Sequence, residues 1–146
     1  MVKGWVTKYF SDIPNTKAQP PQYKDEYFDP KQKERYHFVK AITDIDELSV
    51  YYNIPDTIKY WDSKPLNIIT KIIGYEGKGS LLSYLKKKGW ALELSVGAHF
   101  TRTLNIDITL TPEGRKNHEK VTAAVFEFIR MMNEKGYPEY LYDDEK

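Results

Sequence analysis

The sequence predicts an α+β domain with an antiparallel hairpin, and three observations carry that prediction. Leu104, Ile106, Ile108 and Leu110 alternate strictly with Asn105, Asp107 and Thr109, the period-two signature of a strand with one buried face. Leu92, Leu94, Val96, Ala98 and Phe100 share a face in the segment just before it, so a hairpin turning near Thr101–Thr103 joins the two. Apolar residues then switch to helical spacing after Thr111-Pro112-Glu113.

Each further element has its own justification. Leu48, Val50, Tyr52 and Ile54 alternate with Ser49, Tyr51 and Asn53 and predict another strand. Tyr36 to Ile42, with Phe38, Val39, Ala41 and Ile42, reads as a further one. Ser63 is placed to cap a helix with Pro65 in its first turn, whose buried stripe is Leu66, Ile68, Ile69, Ile72 and Ile73 and whose end is Gly74. Ser80 opens a short helix with Leu81, Leu82 and Leu85 facing inward and Gly89 closing it. Thr111, Pro112 and Glu113 supply cap, rigid first position and first-turn acid for a long helix. That helix carries Val121, Ala124, Val125, Phe128, Ile129 and Met132 on one side and stops at Gly136. Tyr137-Pro138-Glu139 reads as the start of another helix.

The first 35 residues have a different character. Trp5, Val6, Tyr9 and Phe10 are helically spaced and read, over residues 1–10, as the end of a helix from further upstream. From Ser11 to Arg35 only five of 25 residues are hydrophobic, and four prolines interrupt the stretch. It cannot bury enough surface to offset its ordering entropy, so residues 11–35 read as an extended linker and 36–146 as the folded domain.

Composition narrows the function classes. Lys and Arg number 22 against 21 Asp and Glu, a net charge of +1, which lacks the electrostatic footprint of a general nucleic-acid binder. With no cysteine there is no disulfide scaffold, thiol catalysis or Cys-based metal site. No apolar run approaches the ~18 residues of a membrane span, and no signal peptide is visible. No nucleic acid and no membrane are therefore expected as partners, and a cytoplasmic setting is favoured. Twelve tyrosines can line a core edge or a binding surface and decide nothing alone.

The chain shows no catalytic constellation. His37, His99 and His118 are far apart, and none has a ligand partner at helical spacing. His118-Glu119 begins as H-E-x-x-H does, but Thr122 stands where the second His belongs; His118 reads as a solvated helix residue. G-x-S-x-G, Walker and Rossmann patterns are absent. The glycines of Gly74 to Ser80 precede a helix, yet Glu76 sits badly beside phosphate, and a link between helices is the better reading. Lys86-Lys87-Lys88 beside Tyr84 and Trp90 has the ingredients of a single-strand stacking site, but lysines at a helix C-terminus complement its dipole without any ligand.

The segment Ile73 to Ala91, with Gly74-Tyr75-Glu76-Gly77-Lys78-Gly79-Ser80-Leu81-Leu82 and Leu85-Lys86-Lys87-Lys88-Gly89-Trp90, strongly resembles the second domain of insulysin-like zinc metallopeptidases of the pitrilysin family. That family's pattern there is G-H-E-G-x-G-S-L-L-x-x-L-K-x-K-G-W. Asn53-Ile54-Pro55-Asp56 looks like the family's strand ending in I-P-D, and Leu110-Thr111-Pro112-Glu113-Gly114 like its L-T-x-E-G helix entry, so similarity runs over most of Tyr36 to Asp143. The resemblance implies an antiparallel-rich sheet packed against helices on one side, incomplete at its C-terminus. It implies a parent zinc metalloendopeptidase whose halves enclose a chamber, with zinc in the first domain and no cofactor in this chain, which should be inactive alone. It further implies an exosite that holds the N-terminal end of peptide substrates, carried here by Gly74, Glu76, Leu94 and Val96. Val96 stands where the family often has Gly, and Tyr75 where it usually has His. Expected partners are peptide substrates and other domains of the same protein, with self-association of the fragment through uncovered surface. Two rivals stay open: a domain of a non-catalytic family member acting as scaffold, and an independent peptide-binding module.

Overall fold

The computed structural model describes residues 2–21, 34–99 and 102–136. The chain divides into two compact units, Met1–Tyr36 and His37–Lys146. In the first, helix α1 spans Val2–Phe10, where the sequence places helical spacing, and has no buried residue. Residues 14–21 have no helix or strand, and 22–33 lie outside the described residues.

The second unit is built on a three-stranded antiparallel sheet. Strands β1 (Glu47–Asn53), β2 (Ala91–His99) and β3 (Thr103–Leu110) lie in the order β1-β3-β2. β3, the most strictly alternating segment, is the centre because it must satisfy a neighbour on each side. Its Ile106 faces Val50 across one ladder and Val96 across the other. Leu104, Ile106, Ile108 and Leu110 are buried on the face that the helices cover. The opposite face is polar: Asn105 donates to Asp107, and the Ser49 hydroxyl donates to Asp107 at 2.6 Å.

Helices α2 (Pro65–Ile73), α3 (Leu81–Lys87), α4 (Pro112–Lys116) and α5 (His118–Lys135) supply the apolar half of the core. Leu81, Leu82 and Leu85 of α3 meet Val121 and Val125 of α5 over the sheet, all at most 1% exposed. Ser80 caps α3 by accepting from the Ser83 amide at 3.0 Å. The far end closes as a Schellman turn: Gly89 adopts φ 69°, its amide bonds Lys86 O, and the Trp90 amide bonds Leu85 O. Thr111 then joins two helix ends, accepting from the Gly114 amide while donating to Gly89 O at 2.6 Å. Gly114 packs so tightly on this joint that a Cβ would lie 1.8 Å from Trp90 O.

Six expectations differ from what is observed. Tyr36 to Ile42 is not a strand: its backbone is irregular, with a bend at Ile42, and Phe38 and Val39 are 81% and 87% exposed. Apolar content alone does not make a strand. Ser63 does not cap α2: the N-cap position is held by Lys64, in a left-handed conformation with φ 42° and with no side-chain cap bond, because the helix begins at Pro65, one residue later than a Ser63 cap would place it. Ile69 drops out of the buried stripe and is exposed. Leu92 leaves the face of Leu94 because a bulge between Ala91 and Glu93 breaks the alternation, so Ala91 is buried in its place. The helix expected from Thr111 to Gly136 is two helices, interrupted at Asn117 (φ −108°), whose side-chain amide bonds Glu113 O.

His118 is half-buried rather than solvated, with Nδ1 3.1 Å from Arg115 O and its ring edge-on to Phe38. The helix expected at Tyr137-Pro138-Glu139 and the facing of Phe100 lie outside the described residues.

Candidate functional site

The hydrogen-bond alternation of the sheet fixes which backbone groups remain available at its edges. In an antiparallel ladder every second residue pair exchanges both bonds. The Leu110 amide bonds Asp46 O and the Ile54 amide bonds Arg102 O, so the even-numbered residues of β1 and β3 bond each other. The odd-numbered residues of β3 therefore bond β2 through Glu93, Ser95 and Gly97. Leu94, Val96 and Ala98 are left with N–H and C=O directed at an edge that no strand pairs among the described residues.

That edge is framed. α2 packs beside β2, and its C-terminal end and the following turn form the opposite wall of a groove of about 550 Å³. The walls are Asn67, Thr70 and Lys71 from α2, the turn Gly74–Glu76, and Leu94–Val96 from β2. All four residues expected at a substrate exosite, Gly74, Glu76, Leu94 and Val96, line this one groove. Sequence positions 20 apart meet because α3 and its Schellman turn fold the chain back on itself.

Each of the four has a definite place. Gly74 is the C-cap of α2, where its amide bonds Thr70 O at 2.8 Å. Its φ of −79° is open to any residue, so glycine serves space rather than backbone freedom: a Cβ would lie 2.9 Å from Thr70 O and 3.6 Å from Val96 Cγ2. Glu76 is exposed, and no hydrogen bond or ion pair engages its carboxylate among the described residues. Leu94 is a core residue at 6% exposure, so its side chain belongs to the domain and only its backbone faces the groove. Val96 is half-buried against the same core.

Asn67, Thr70 and Lys71 were not singled out from the sequence. Their signal was present: with Gly74 they sit at i, i+3, i+4 and i+7 of α2, one helical stripe distinct from the buried one. Lys88 lies over the Tyr84 ring at 5.7 Å and Trp90 packs against the core, so these aromatics do not form a paired stacking platform.

No group of three or more His, Asp or Glu placed to hold a metal occurs among the described residues. Away from the groove, burial raises the Tyr52 phenol above its usual 10.0. Its hydroxyl is buried without a hydrogen-bond partner, while its ring meets Phe126 edge-on at 5.8 Å.

Fold and groove together define an α+β domain whose sheet has, among the described residues, a strand edge framed by a helix end. Residues 1–146 match the Peptidase M16 inactive domain, and the chain belongs to that family. It is 32% identical to the A-factor-processing enzyme of Saccharomyces cerevisiae over 98% of this chain and 14% of that protein. It is 33% identical to nardilysin of Rattus norvegicus over 98% of this chain and 13% of that one. The fold matches the crystal structure of pitrilysin with a TM-score of 0.72 and 22% identity, over 97% of this chain and 16% of that chain. The chain thus spans about a seventh of the length of these curated relatives.

Proposed function

We propose that this chain serves a larger insulinase-type zinc peptidase as a non-catalytic domain that walls the substrate chamber and anchors the N-terminal end of peptide substrates in the groove between α2 and β2. The observation that carries the reading is the coincidence, in one groove, of unpaired strand backbone at Leu94 and Val96 with the unengaged Glu76 carboxylate. A peptide adds as a further strand, exchanging backbone hydrogen bonds with β2, which gives affinity largely independent of sequence. Its α-ammonium group then pairs with Glu76, which favours a chain terminus over an internal segment. Zinc would supply the hydrolytic chemistry from a part of the peptidase outside this chain.

The test is a titration of the purified chain with one peptide in free and N-acetylated forms. Glu76→Ala should weaken the free peptide about fivefold, the scale of a surface charge pair, and leave the acetylated one unchanged. In the longer peptidase the same substitution should raise KM selectively for free peptides. Equal effects on both forms would refute the anchoring role.

Contact with other parts of the same peptidase is supported by a second observation. Phe38, Val39 and Ile42 hold large apolar side chains in water, a cost that burial against another surface removes. In the isolated chain the same residues favour self-association, which sedimentation at rising concentration reads directly; a constant monomer would count against it.

A further inference from the structure

We propose that Val96 makes the groove a selector for small side chains, so that the bound peptide must carry Gly, Ala or Ser at the residue lying beside Val96. The inference rests on the anchoring reading above and adds a size limit to it.

Directly opposed residues of neighbouring strands place their side chains on the same face of a sheet. Val96 points to the helix-covered face, opposite Ile106. A peptide residue paired with Val96 therefore directs its side chain to that face too, into the corner between β2 and the end of α2. The corner exists because Gly74 has no side chain: a Cβ there would come within 2.9 Å of Thr70 O. Val96 closes it from the other side, its Cγ2 lying 3.6 Å from that same Cβ position, which is already van der Waals contact. One carbon added at Gly74 would already touch both walls, and neither yields easily. Thr70 O is helix backbone, and Val96 is β-branched with restricted χ1 freedom.

Neighbouring peptide residues escape this limit. Their side chains point to the other face, beside exposed Ser95, where no helix among the described residues covers the sheet. Residues two positions away share the face of the Val96-paired residue but lie opposite Leu94 and Ala98, away from the Gly74–Val96 contact, so the size limit falls on one position.

The experiment titrates the purified 146-residue chain with fluorescent free-N-terminus octapeptides, each carrying Ala or Phe at one of the first four positions. One position should show Phe binding about tenfold more weakly than Ala, with the other three near parity. Val96→Ala should reduce that ratio below about threefold while preserving the preference for free over acetylated peptide. A size penalty at no position, or one unchanged in Val96→Ala, overturns the selector. If the free-terminus preference survives such a result, only the size limit falls; if free and acetylated peptides bind alike, the anchoring reading falls and takes the size limit with it. Should Val96→Ala fail to melt cooperatively, a scan of the wild-type chain through Gly, Ala, Val and Leu at the sensitive position decides: graded loss supports the selector and a flat profile overturns it.

Discussion

The sheet has two outer strands, and they differ in what surrounds their open backbone. Among the described residues β1 leaves the N–H and C=O groups of Glu47, Ser49, Tyr51 and Asn53 unpaired by any strand, as β2 does those of Leu94, Val96 and Ala98. Beside β2 stands α2, with Gly74 clearing space and Glu76 offering a free carboxylate. The exposed groups of β1 belong to residues whose side chains lie on the polar face, where Ser49 and Asp107 bond one another. An edge by itself is a generic template for another strand. On the proposed reading, the helix end, the missing side chain and the one charge beside β2 give that edge a preferred occupant.

Both edges hang from β3, so the largest effect is expected there. Ile106 is fully buried and faces Val50 and Val96 at once, so Ile106→Ala should cost about 2–5 kcal/mol by chemical denaturation and abolish peptide binding with the fold. Gly114→Ala strikes the β2 side specifically. The added Cβ collides with Trp90 O, fixed backbone just before β2, and should cost about 3 kcal/mol, with a lower melting temperature and weaker peptide binding together.

The smallest effect belongs to β1. Tyr52→Phe removes a buried hydroxyl that has no partner, so it should be neutral or stabilising by up to about 1 kcal/mol at pH 8. Because burial raises the Tyr52 pKa in the folded state, the phenol contributes fully below the unfolded value of 10.0, and that contribution is lost as pH rises above it. Thermal melts from pH 8 to 11 should therefore show the wild-type chain falling faster than Tyr52→Phe above pH 10. Peptide binding at the β2 groove should not change.

What was legible in the sequence follows the same division. β3 and the hairpin were readable because a strict period-two pattern has one physical meaning when one face is buried, and Ser80, Gly89 and Thr111 announced their caps. The bulge at Leu92 was not readable, since one inserted residue leaves composition intact and only shifts the phase. Tyr36 to Ile42 misled because apolar content alone does not set backbone conformation, and Phe38, Val39 and Ile42 lie exposed in an irregular stretch. At the groove, Gly74 and Glu76 sit in a glycine-rich turn and Leu94 and Val96 in a strand. Nothing in either spacing says that they meet; only the resemblance joined them. The closure of the corner by Val96 is a distance between side chains, and no sequence pattern encodes it.

The most direct measurement is a titration of the ¹⁵N-labelled chain with a free-N-terminus peptide, following backbone amides of both outer strands. The account predicts saturating shifts at Leu94, Val96 and Ala98, reduced by Glu76→Ala, with Ser49, Tyr51 and Asn53 of β1 unmoved. Shifts centred on β1, or equal shifts with the acetylated peptide, would contradict it.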